Sequence, residues 1–254
     1  MRNIKLLLQY DGTNYHGWQK QPGVATVQGA LENAIRAITG EEVSVTGASR
    51  TDKGVHAVGQ VANFPTGSAL PAEVFARALD AKLPEDIAVL GAEDAGEDFN
   101  ARHSAIGKWY RYFLLSGRKK SPLLDRYCAV FADPLDMERM REAAKTLIGT
   151  HNFSAFGAQV EPDDDVICTL HTIEVAEFAP TFPPNRGEKL LAIDVKGDRF
   201  LYKMVRTVCG TLVEVGRGRW EAQVVNNILQ SKNRHCAGQT LPSCGLFLME
   251  VRYK

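Results

Sequence analysis

The sequence predicts an α+β fold, two ferredoxin-like α/β halves with mostly antiparallel sheets. Three observations predict it. The 254 residues suit two compact units of about 100–150 residues each, enough to build apolar cores without staples. Strand-like and helix-like segments follow one another in the order β-α-β-β-α-β. The same order returns roughly a hundred residues later, as a repeat of faint identity. The boundary falls near Ser104, giving an N-terminal domain of residues 1–104 and a C-terminal domain of residues 105–254.

Residues 4–10, Ile-Lys-Leu-Leu-Leu-Gln-Tyr, read as a strand closed by the turn signal Asp11-Gly12-Thr13. A helix is expected over 27–38, where Leu31, Ala34, Ile35 and Ile38 recur at threes and fours before Gly40 ends the run. Strands follow at 43–45 and 55–64, separated by a polar turn. Pro71 opens a second helix with Val74, Phe75, Ala78 and Leu79 on one face, ending by Pro84.

In the second half, residues 108–115 alternate Trp109, Arg111 and Phe113 with Tyr110, Tyr112 and Leu114, a strand. A helix over 136–147 stops at Gly149 as the first stops at Gly40. Strands are expected at 172–178 and 189–195, with the Pro-rich stretch 180–187 as a solvent-facing loop between them. A helix over 200–215 carries Leu201, Met204, Val205, Val208, Leu212 and Val215. One more helix at 220–229 and a last strand at 246–253 complete the half.

Composition excludes several classes. Hydrophobic residues at 44% and charged residues at 24% are those of a globular chain, not a disordered or collagenous one. No apolar run reaches the roughly 18–20 residues of a membrane span. The apolar start is too short for a signal peptide, so the expected compartment is the cytoplasm. Five scattered cysteines form no Cys-x-x-Cys pair and no disulfide framework. His235, Cys236 and Cys244 come nearest to a metal cluster, but their spacing fits no zinc pattern, so no metal site is expected. Lys plus Arg number 30 and Asp plus Glu number 30. A neutral chain has no global positive field for nucleic acid, so any such contact needs basic residues sorted onto one face. Some sorting is visible, with basic residues concentrated at 102–111, 118–120 and 199–219, and acidic ones at 93–98 and 161–165.

Between two predicted strands lies Ser49-Arg50-Thr51-Asp52-Lys53-Gly54-Val55-His56-Ala57, dense in Arg, Thr, Asp, Lys and His. Asp52 with Gly54 makes an ordinary Asx-type reversal, and the same carboxylate on a rigidly held loop is a candidate catalytic group. Asp11-Gly12-Thr13 suggests an aspartyl phosphatase, but Gln9 stands where the nucleophilic Asp would be, so no aspartyl-phosphate can form. Arg206 interrupts an apolar helix on a stripe shared with Tyr202, Lys203 and Gly210, as a surface Arg or one aimed at an anion in a cleft.

Tyr10-Asp11-Gly12-Thr13-x-Tyr15-x-Gly17-Trp18-Gln19-x-Gln21 and Arg50-Thr51-Asp52-x-Gly54-Val55-His56-Ala57 are joined by Phe99-x-Ala101-Arg102-x-x-Ala105-x-x-Lys108-x-Tyr110-x-Tyr112. Phe200-Leu201-Tyr202-x-Met204-Val205-Arg206, Gly210-Thr211-Leu212-x-Glu214-Val215-Gly216-Arg217-Gly218 and Gly245-Leu246-x-Leu248-x-x-Val251-x-Tyr253 follow. In this order and spacing, over nearly the whole chain, the sequence closely resembles the tRNA pseudouridine synthase A family, which isomerises uridines 38, 39 and 40 of the anticodon arm.

The resemblance implies the pseudouridine synthase fold, two halves joined around a central RNA-binding cleft, and a cytoplasmic homodimer with tRNA as its partner and no membrane association. The reaction gains and loses no atoms and involves no redox change, so no cofactor is expected. Asp52 matches the family's catalytic aspartate, as nucleophile toward the nucleoside or as base toward a ribose proton. Arg206 matches the arginine paired with it; a neighbouring cation favours and orients a carboxylate. Tyr110 matches the active-site tyrosine, whose ring stacks on the flipped uracil and whose hydroxyl assists loss of the C5 proton; taken alone it reads as a core aromatic. Leu246 matches the apolar residue on the other side of the base. Arg50 is expected to hold a phosphate of the flipped nucleotide or wedge into the vacated stack. His56 is expected in a structural or RNA-contacting role.

Phe99, Asn100, Ala101, Arg102 and His103 correspond to a tRNA-contacting stretch, where Arg102 and Lys108 reach phosphates. A second contact region falls near 159–169. There this sequence departs from the family: His171 stands where a basic residue often precedes the strand, and Asp163, Asp164 and Asp165 make a poor phosphate ligand. The competing reading is a non-catalytic ferredoxin-like RNA-binding module. No RRM signature is present, and that reading leaves Asp52 and Arg206 without a task.

Overall fold

The computed structural model describes residues 1–117, 120–178 and 189–254. They form two compact units, one of Met1–Ile106 with Phe247–Lys254, the other of Gly107–Leu246. The fold is α+β with mostly antiparallel strand pairs.

The first unit follows the order β-α-β-β-α-β: β1 (Arg2–Tyr10), α1 (Val27–Thr39), β2 (Thr46–Gly47), β3 (His56–Thr66), α2 (Ala72–Asp80) and β4 (Ile87–Ala95). β1 lies between β4 and β3, antiparallel to both. Alternation along β1 buries Ile4, Leu6, Leu8 and Tyr10 on one face and leaves Leu7 exposed on the other. The buried face takes the helices: Ile4 is in register with Phe64, whose ring meets Phe75 of α2 edge-on at 5.7 Å. α1 begins where the Thr26 hydroxyl accepts from the Gly29 N–H at 3.3 Å, and ends at Gly40 in the left-handed region, φ 75°.

The second unit contains β5 (Gly107–Ser116), β6 (Ala129–Phe131), α3 (Met137–Lys145), β7 (Gly149–Asn152), β8 (Ile167–Glu177), β9 (Lys189–Gly197), α4 (Met204–Gly216) and α5 (Val224–Ser231). Its antiparallel order is β5-β9-β8-β7, with β6 parallel to β5. The Asp136 side chain caps α3, accepting from the N–H groups of Glu138 and Arg139 at 2.9 and 3.1 Å.

The last strand, β10 (Leu246–Arg252), lies with the first unit from Phe247 onward. A division at 104 with everything later in the C-terminal half therefore differs from the observed units in residues 105–106 and 247–254. Phe247 and Leu248 pair in parallel with His56 and Ala57. Gly59 permits the approach, since a Cβ there would stand 2.4 Å from the Met249 carbonyl oxygen.

Other elements shift for identifiable reasons. The strand expected at 43–45 is displaced to Thr46–Gly47, because the Val45 N–H donates to Glu32 at 3.2 Å and its carbonyl accepts from the Gln28 amide at 3.1 Å. α4 starts at Met204 rather than 200: Lys203 is left-handed, φ 59°, and the Tyr202 carbonyl accepts from the Ala158 N–H at 2.9 Å. Tyr202 and Lys203 thus precede the helix and share no helical stripe with Arg206. α5 starts at Val224 rather than 220, and β4, β6 and β7 were not marked out by the hydrophobic pattern. The expected loop 180–187, and Arg118 with Lys119 of the basic stretch, lie outside the described residues.

Candidate active site

Asp52 stands on a loop fixed backbone to backbone. The Trp18 N–H donates to the Thr51 carbonyl at 3.0 Å, the Gly54 N–H to that of Tyr15 at 3.3 Å, and the Val55 N–H to that of Asp52 at 3.1 Å. Glycines make this closeness possible. A Cβ on Gly12 would lie 2.0 Å from the Val55 oxygen, and one on Gly17, φ 89°, would lie 2.6 Å from the Thr51 oxygen. Gly47 likewise makes room for the buried Trp18 indole, 2.3 Å from where its Cβ would be.

Beneath the loop the Thr51 and Tyr10 hydroxyls meet at 2.8 Å. Gln60 clamps Ser49, donating to its carbonyl at 2.7 Å and accepting from its N–H at 3.2 Å. The Tyr15 hydroxyl donates to Asp86, and burial together with that carboxylate raises its pKa. The opening motif is therefore the cradle of the Asp52 loop. Asp52 itself is half-buried and Arg50 is exposed.

His56 is 1% exposed, its ring stacked on Phe247 at 4.6 Å. Its Nδ1 lies 3.1 Å from both the Gly12 nitrogen and Asp11 Oδ1, and a ring nitrogen either accepts through its lone pair or donates an N–H, not both. We assign it as acceptor from the buried Gly12 N–H, because Asp11 Oδ1 already takes the Thr13 N–H and hydroxyl at 2.9 and 2.5 Å. This places His56 in the framework under the loop.

Elsewhere in this unit, residues 99–103 form a tight turn. Asn100 accepts from the N–H groups of Arg102 and His103 at 3.0 Å each, and buried Ala101 is held by Asn63 at 2.8 Å and the Tyr253 hydroxyl at 2.7 Å. The Phe99 ring packs on Tyr253 at 5.1 Å. Arg102 and His103 are the exposed side chains that this turn presents.

In the second unit Tyr110, 7% exposed on β5, meets Phe200 edge-on at 5.2 Å. Lys108 is half-buried on the same strand. Arg206 is half-buried in the first turn of α4, its Nε donating to the Leu241 carbonyl at 2.7 Å. One turn on, Gly210 lets the same segment close in, since a Cβ would stand 1.9 Å from the Gln239 oxygen. The buried Tyr112 hydroxyl donates to the Pro242 carbonyl at 2.6 Å. Residues 239–246 are thus strapped onto α4 and β5, and they end in buried Leu246. No sequence pattern marked the carbonyls of Leu241 and Pro242, because any residue supplies one.

In the acidic loop only one carboxylate among the described ion pairs meets a cation, Asp165 contacting Arg199, while Asp164 accepts from the Glu161 N–H at 2.8 Å. His171 is exposed at the register shift between Leu170 and Thr172 within β8. Among the described residues no group of three His, Cys, Asp or Glu side chains is arranged to hold a metal ion, and no helix is long and apolar enough to cross a membrane.

A family model described as tRNA pseudouridine synthase matches residues 7–104 and 143–254, and the chain belongs to that family of isomerases. Curated relatives named tRNA pseudouridine synthase A match over 100% of both chains. Those of Acetivibrio thermocellus and Thermoanaerobacter sp. are each 44% identical over 253 residues, and that of Caldicellulosiruptor saccharolyticus is 41% identical over 253 residues.

Proposed function

We propose that the chain converts uridines 38, 39 and 40 in the anticodon stem-loop of tRNA to pseudouridine. The reading is supported by the full-length match to relatives named tRNA pseudouridine synthase A, which brings their substrate to this chain. The reaction breaks the N1–C1′ bond, turns the uracil, joins C5 to C1′ and loses the C5 proton while N1 gains one. It balances without an oxidant, reductant or cofactor. Asp52 supplies the carboxylate, as nucleophile or as base toward a ribose proton. Its rigid loop suits either task, because catalysis is steeply sensitive to misplacement.

Arg206 is the proposed charge partner of that carboxylate. Tyr110 stacks on the extruded base and assists loss of the C5 proton, and Leu246 covers the base from the other side. Arg50 contacts the flipped nucleotide. Arg102, His103 and Lys108 contact tRNA, with Phe99, Asn100 and Ala101 shaping the turn that presents two of them. The enzyme works in the cytoplasm as a homodimer, which enlarges the basic surface of a neutral chain. Light scattering showing a monomer at micromolar concentration contradicts the dimer.

The test is tRNA tritiated at uridine C5, followed by mapping of the modified positions. Release of label with pseudouridine at 38–40 is expected. Binding without release would favour the RNA-binding module instead.

A further inference from the structure

Two residues outside the family motif meet beside Asp52. His16 follows Tyr15 and Lys53 follows Asp52, and the structure brings Lys53 Nζ to 3.2 Å from His16 Nε2, both side chains exposed. The approach is set by the backbone. The Gly54 N–H is bonded to Tyr15 and the Trp18 N–H to Thr51, while the His16 N–H is anchored on the Ala25 carbonyl at 2.8 Å. Gly17, between His16 and Trp18, touches the backbone of Thr51, Asp52 and Lys53. The two side chains therefore rise from opposite walls of one rigid double loop.

An ammonium only donates, so the imidazole Nε2 accepts and the ring proton sits on Nδ1. One of the three Lys53 N–H bonds is spent on His16, which fixes the direction of the other two. Among the described residues Lys53 makes no salt bridge to a carboxylate. Most other lysines with a polar contact in this structure, such as Lys5, Lys20 and Lys145, are tied to a glutamate. Here an oriented cation is carried by the residue that directly follows the proposed catalytic carboxylate in the chain.

We propose that Lys53, oriented by His16, binds a backbone phosphate next to the uridine being isomerised. This rests on the reading of the chain as a tRNA-modifying enzyme and adds a substrate contact to it. In a chain of zero net charge, attraction for RNA depends on such local cations, and a phosphate offers the oxygens that two remaining N–H bonds require. Lys53 is then a binding residue and His16 a positioning residue.

Filter binding of tRNA across a salt series tests this without depending on turnover. Lys53→Gln should weaken binding several-fold and lower the slope of log affinity against log salt by about one phosphate contact. His16→Ala should weaken it less. His16→Gln, whose amide oxygen can still accept from Lys53, should restore it. In turnover, the loss should fall on kcat/KM far more than on kcat. An unchanged salt slope in Lys53→Gln overturns the proposal. So does a lowered melting temperature in both variants with an unchanged slope, which would make the pair a latch between loops. Label release by the unaltered enzyme is measured in parallel, so failure of the tRNA isomerase reading is seen separately.

Discussion

Gly12 sits against Val55 so closely that a Cβ on the glycine would stand 2.0 Å from the Val55 carbonyl oxygen. Val55 lies three residues beyond Asp52, so this contact holds the Asp52 loop against the end of β1. Gly12→Ala must push backbone away from backbone. We expect a loss of about 3 kcal/mol, the upper end for overpacking, read by thermal melting, and a fall in label release because the carboxylate moves with the loop.

Tyr112→Phe removes the hydroxyl that donates to Pro242 at 2.6 Å in a buried site. The carbonyl is left without that donor, at a cost of about 1–2 kcal/mol. The segment 239–246 also holds the acceptor for Arg206 and carries Leu246. Single-turnover rates should therefore fall while tRNA affinity stays within a few-fold.

Arg206→Lys is expected to cut the chemical step severely with tRNA binding nearly intact. The guanidinium gives Nε to the Leu241 carbonyl, and the proposed carboxylate partner calls for the fixed planar fork of that same group. An ammonium is a point charge on a flexible stem and cannot reproduce that fork. Arg206 is half-buried, so Arg206→Ala should cost about 1.5–3 kcal/mol, the range for a hydrogen bond from a charged group, rather than the roughly 3–5 kcal/mol of a fully buried broken pair. Single-turnover kinetics and melting on both variants check this.

Tyr110→Phe keeps the ring against Phe200 and loses only the hydroxyl. Label release should fall by roughly a hundredfold, the usual size of a general acid–base contribution, with tRNA affinity retained. A wild-type rate would confine Tyr110 to stacking.

The long amphipathic elements were legible because their periodicity is local: Leu31, Ala34 and Ile35 announce α1, and Gly40 ends it where expected. Val45 misled because its backbone is spent on Gln28 and Glu32 of α1, a tertiary choice that a three-residue apolar run cannot reveal. Lys203 misled because an apolar run continued through a left-handed residue. The placement of 247–254 with the first unit depends on pairing with His56 and Ala57, far away in sequence. Asp52 was legible as a candidate from its loop, whereas its cradle of Gly12, Gly17 and Thr51 became intelligible only as contacts. Lys53 stood out only as one member of a charged loop and His16 not at all, and their pairing carried no signal in the sequence, since it is a property of the two loops together.

Asp52→Asn tests the central claim most directly. The amide is nearly isosteric with the carboxylate, so the loop and tRNA docking should survive, but it is neither nucleophile nor base at neutral pH. Single-turnover release of tritium from uridine-C5-labelled tRNA should be abolished in the pure variant, with tRNA affinity within a few-fold of the unaltered enzyme. Measurable release by Asp52→Asn would contradict the account and remove Asp52 from the chemistry.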